Sequence, residues 1–142
     1  MPFESLYNDL PHLALNETKA VNLPLADNEF GLPAGFYLFV EMFCNEKDCD
    51  CRKVIFSVFQ NKQKDPWAYI SYGWESESFY KKWLRSDDKA LARQLMKPSL
   101  SLMAPQSVYA RKILGLFNKM LLPQTSYLAK VKEHYKLFRK GL

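Results

Sequence analysis

Glycine is scarce in this sequence, with five residues scattered through 142. That excludes the glycine-rich loops that cradle phosphates, and no G-x-S-x-G, H-E-x-x-H or EF-hand pattern is present either. Histidine is scarcer still, at two. No apolar run approaches the roughly 18–20 residues that cross a bilayer, so no membrane role is expected. The opening MPFESLYNDLPHL lacks both a basic start and a long apolar stretch, so it does not read as a signal peptide. A cytoplasmic location is the expectation. Cysteine is absent outside one stretch. The whole complement, Cys44, Cys49 and Cys51, falls within FCNEKDCDCRKV. One disulfide would leave a thiol over, which argues against a disulfide framework and agrees with a reducing compartment.

Acid is missing from the rear of the chain. Residues 1–88 carry 9 basic and 14 acidic side chains, whereas residues 89–142 carry 11 basic and 1 acidic. A basic rear of this kind can meet nucleic acid or an acidic partner, or form a solvated helix face. No helix-turn-helix or RRM-type signature accompanies it.

What is present is material for a core. Hydrophobic residues make up 48% and aromatics 15% of the chain, which excludes disorder, and the length suits one domain. FYLFVEMF (36–43) and KVIFSVFQ (53–60) are short, aromatic and bounded by turn residues, so they read as buried strands joined through the cysteine stretch. WAYISYG (67–73) reads as a third strand. SESFYKKWL then opens helical spacing, with Ser76 as N-cap. DDKALARQLM, QSVYARKILGLFNKMLL and TSYLAKVKEHYKLFRKG read as three more helices, two of them stopped at Pro98 and Pro123. Residues 1–35 are harder to read: a short helix broken at Pro11, then a loop punctuated by Pro24, Gly31, Pro33 and Gly35. The expectation is an α+β fold, a small antiparallel meander of about three strands followed by and packed against about four helices. Residues 1–35 form an N-terminal segment packed on a single domain of residues 36–142.

The cysteines have the spacing C-x4-C-x-C. Zinc takes thiolate and imidazole ligands in a tetrahedron. Asn45 and Asp48 favour the turn that would fold Cys44 back toward Cys49 and Cys51. A fourth donor must come from elsewhere. His134 shares one helical face with Tyr127, Val131 and Phe138 and therefore points toward the core. The expected ligand set is Cys44, Cys49, Cys51 and His134. The alternatives for the fourth position are His12, a carboxylate such as Asp48, or water, with His134 then a core histidine bonded to a polar group. A reactive thiol is disfavoured, because Glu46, Asp48 and Asp50 surround the cysteines and oppose the thiolate, whereas a metal would gain from the same acids. Glu75 and Glu77 read as first-turn acids of a helix rather than as a catalytic pair.

CDCR, YGWESESFYKKW, APQS and HYKLFR together resemble a family of uncharacterised bacterial domains that runs from a cysteine turn through a GWES segment to a C-terminal HY pair. The resemblance spans roughly residues 36–140 and implies no activity. It implies that Cys44, Cys49, Cys51, Trp74 and His134 belong together. The function expected from the sequence is a non-catalytic interaction module with a structural zinc site, whose partner could be another, unidentified protein. The alternatives are a zinc- or thiol-dependent enzyme, and nucleic-acid binding through the basic C-terminal half.

Overall fold

Alternation along the central strands decides which way the sheet faces. A computed structural model describes residues 3–61, 63–102 and 104–142. In β3 (Gly35–Cys44) the odd positions Tyr37, Phe39, Glu41 and Phe43 are buried, whereas Phe36 on the other face is exposed. Val54, Phe56 and Val58 of β4 (Lys53–Gln60) and Ile70 of β5 (Ala68–Gly73) continue the buried side. Two helices close over it: α5 (Ala110–Met120) through Ile113, Leu116 and Phe117, and α6 (Thr125–Lys140) through Tyr127, Val131, Tyr135 and Phe138. Phe117 lies with its ring centre 5.1 Å from that of Phe56 and 6.0 Å from that of Phe39. Burial of such aromatic side chains contributes about 1.5–3 kcal/mol each.

The expected three-strand meander with four helices is corrected by the structure. Among the described residues there are six strands in one antiparallel sheet, and six helices. The class remains α+β. The extra strands are β1 (Phe3–Ser5), β2 (Lys19–Leu23) and β6 (Ser99–Leu100). β1 pairs with the end of β3, Phe3 opposite Cys44, and β2 pairs with its beginning, Leu23 opposite Gly35. Two short strands thus share one long edge, and neither is long enough to show a period of its own. The extra helices are α1 (Leu6–Asp9) and α2 (Pro11–Glu17), which link those strands. Pro11 sits in the first turn of α2, where its missing N–H costs nothing, so it starts a helix as well as breaking one.

Elsewhere local chemistry sets the boundaries. Ser76 accepts from Phe79 N at 3.1 Å and opens α3 (Glu77–Leu84), and Asp88 caps α4 (Lys89–Met96). α5 begins later than QSVYARK implies. The Gln106 amide pairs with both backbone groups of Tyr69, at 2.9 and 3.0 Å, and so acts as a strand neighbour rather than as helix. Gly73 has no room for a side chain, because a Cβ there would collide with Tyr80 Oη and Leu95 O. No helix among the described residues is long and apolar enough to cross a membrane.

Candidate metal centre

The three thiols meet where β3 hands over to β4. Cys44 is the last residue of β3, and pairing with Phe3 fixes its direction. The chain turns at once, with Cys49 N donating to Glu46 O at 3.1 Å, and returns through Cys51 to β4. The sulfur atoms of Cys44, Cys49 and Cys51 all lie within 4.8 Å of one another. All three cysteines are free; Cys44 and Cys51 are buried and Cys49 is half-buried. Sulfur ligands of one metal at about 2.3 Å stand roughly 4 Å apart in a tetrahedron or a trigonal plane, so with a small closure of the turn this trio could hold one ion.

The turn is held from outside by three aromatic and basic side chains. Arg139 of α6 forks onto the turn, donating through Nη1 to Glu46 O at 3.0 Å and through Nη2 to Lys47 O at 2.9 Å. Tyr135 donates to Asp50 Oδ1 at 2.7 Å and accepts from Arg52 N at 3.2 Å. Tyr80 donates to Arg52 O at 2.8 Å. Arg52 needs this support, because its backbone is left-handed (φ 49°), a conformation that non-glycine residues adopt at a cost.

Burial keeps the Cys44 and Cys51 thiols protonated when nothing is bound. Burial pushes Cys51 up to about 12, and the neighbouring Cys49 and Cys44 add to the shift. Burial also raises Cys44. Such thiols are poor nucleophiles at neutral pH. A metal ion reverses the balance, since its own charge displaces the protons. The soft three-sulfur donor set suits a thiophilic ion.

His134 is buried on α6 toward the core, but it is not among the residues gathered with the thiols. Nδ1 lies 2.7 Å from Glu41 Oε1 and Nε2 lies 3.2 Å from Glu17 Oε2. Both ring nitrogens are thus engaged by carboxylates. His12 is an exposed residue of α2, and Asp48 is exposed in the turn; neither joins the sulfur trio. Trp74 packs edge-on to Tyr135 at 5.1 Å and so lies beside the turn rather than in the donor set.

The Glu41–His134–Glu17 chain escaped the sequence reading. Its signal was Glu41 itself, one acid on the face of β3 that otherwise carries Tyr37, Phe39 and Phe43. An acid buried there requires a partner. Glu41 Oε2 and Tyr127 Oη are buried with no hydrogen-bond partner among the described residues. Burial opposes the charge on His134, yet its hydrogen bonds and attraction to Glu41 and Glu17 outweigh that and raise its pKa. Burial raises Glu41 as well, against the pull of His134.

Comparison with family models, curated proteins and solved structures found no match. The resemblance carried by CDCR, GWES and HY therefore rests on those short segments alone.

Proposed function

We propose that this protein is a small non-catalytic interaction domain whose β3–β4 turn is fixed by zinc at Cys44, Cys49 and Cys51. The observation that carries this reading is the convergence of three sulfur atoms within 4.8 Å in a turn of the sheet. Zinc is the divalent ion for which thiolate ligation without redox change is most usual. Metal binding would add to folding free energy and hold the turn in the shape that Arg139 and Tyr135 grip. His134 enters this reading as a tie between α6, β3 and α2 rather than as a ligand, because both of its nitrogens are occupied. The fourth position then falls to water or to a donor from a partner.

That open position favours a second reading, a zinc–water enzyme. One preparation tests both. Cobalt(II) added to reduced apoprotein is expected to give intense sulfur-to-metal charge-transfer absorption at one equivalent, and Cys51→Ser is expected to bind it at least about tenfold more weakly, since even changes around the ligands cost that much. Absence of the charge-transfer band overturns the site. A visible cobalt spectrum that shifts on addition of cyanide marks an exchangeable fourth position, which both readings allow and the second requires. An unmoved spectrum favours the first.

A further inference from the structure

Between the cysteine turn and α6 runs a groove of about 880 Å³. Asp50 and Arg52 of the turn form one wall, Trp74 and Tyr135 contribute aromatic surface, and Lys132, Lys136, Arg139 and Lys140 of α6 form the other wall. We infer that this groove docks an extended acidic peptide, with two of its carboxylates on Lys132 and Lys140. The partner class rests on reading the molecule as an interaction domain.

Three of the five cations that line the groove are already engaged. Arg52 pairs with Asp50 at 3.0 Å and with Glu75 at 3.5 Å. Lys136 pairs with Glu133 at 3.4 Å, and Arg139 spends its fork on the carbonyls of the turn. Among the described residues Lys132 and Lys140 have no such partner, and both are exposed. They stand eight residues apart on one helix, a separation of about 12 Å at 1.5 Å per residue. Acidic side chains about four positions apart in an extended peptide span nearly the same distance, at roughly 3.3 Å per residue. Alternate side chains between them would face the half-buried Trp74.

The lining has mixed sign, and this selects the occupant. Asp50, Glu75 and Glu133 face the same groove. An unbroken row of phosphates would meet those three carboxylates, whereas a peptide places its charges discretely. The rest of the basic rear is partly neutralised by the acidic front: Lys119 pairs with Glu29, Arg93 with Glu77 and Lys130 with Glu17. That weakens the uniform field on which nonspecific nucleic-acid binding depends.

The test uses the full chain, purified under reducing conditions without chelator, and fluorescein-labelled peptides read by anisotropy. One peptide alternates glutamate with small and apolar residues, and its control replaces glutamate by glutamine. Binding of the acidic peptide alone is expected, weakening as salt rises. Lys132→Glu with Lys140→Glu is expected to weaken it about tenfold or more, and Lys132→Arg with Lys140→Arg to leave it within about twofold; tenfold corresponds to about 1.4 kcal/mol. Both positions are exposed, and thermal melting checks that the variants stay folded. Equal binding of the two peptides, an unchanged affinity after charge reversal, or preference for oligothymidylate over the acidic peptide would each overturn the proposal. Metal content measured on the same samples separates the readings, because a zinc-free protein that binds the peptide in this pattern overturns the metal site and leaves the groove standing.

Discussion

The Glu41–His134–Glu17 chain concentrates the residue-scale energetics. Its central pair is almost wholly buried, with His134 2% and Glu41 1% exposed. Removing one partner of such a pair leaves the other charged group unmatched, which costs about 3–5 kcal/mol. His134→Ala is therefore expected to lower the urea midpoint by that equivalent, more than a simple ring truncation would, while zinc content stays unchanged. Loss of zinc with a small stability change would instead make His134 a ligand. A pH dependence follows from the same residues. Both pKa values are raised in the fold, from ordinary values of 4.5 for Glu41 and 6.5 for His134. The folded chain thus holds protons that the unfolded chain releases, and the slope of stability against pH is negative there. The contribution of this pair is fully present below about pH 4.5 for Glu41 and below about pH 6.5 for His134. It is lost as pH rises through the folded values. Urea titrations of wild type and Glu41→Gln across that window check this, and the variant is expected to show the flatter profile. Equal slopes would remove the pair as the source.

At the scale of elements, α6 is the member that carries both the core face and the grip on the turn. Tyr135→Phe removes an acceptor from Arg52 N and a donor to Asp50. About 1–2 kcal/mol is at stake in such a bond, and the larger expected effect is local: faster release of metal to a chelator and faster amide exchange in residues 45–52. Tyr135→Phe is for that reason no neutral control for His134→Ala. An unaltered chelation rate would mean that the turn stands without α6. Gly73→Ala is expected to cost about 1–3 kcal/mol as an overpacked substitution and to loosen the same turn, because Tyr80, the side chain displaced, donates to Arg52 O. β3, β4 and β5 and the four later helices were legible because each is long enough to show its period and is bounded by Ser76, Pro98, Pro123 or Gly141. β1, β2 and β6 were not, since three, five and two residues carry little pattern and owe their pairing to the exposed edges of β3 and β5. The gathering of the thiols was legible from spacing. The partners of His134 were not, because Glu17 is brought to it by α2, in the segment that sequence patterning read least well.

Across the whole molecule, the charge asymmetry of the sequence becomes cross-links between its two halves. Acids of residues 1–88 meet cations of residues 89–142 at Glu17, Glu29 and Glu77. Pairs this exposed contribute little stability individually, but they offset part of the basic rear with acids of the front. The cysteine turn is likewise a junction of distant parts, with β1 beside Cys44, Tyr80 of α3 at Arg52 and Arg139 at Glu46. A metal there would brace the sheet, α3 and α6 together. The measurement that tests this most directly is the zinc content of the purified protein, prepared under reducing conditions without chelator. The account predicts close to one equivalent, given the tight affinities of structural sites, and less than about 0.2 equivalents would contradict it.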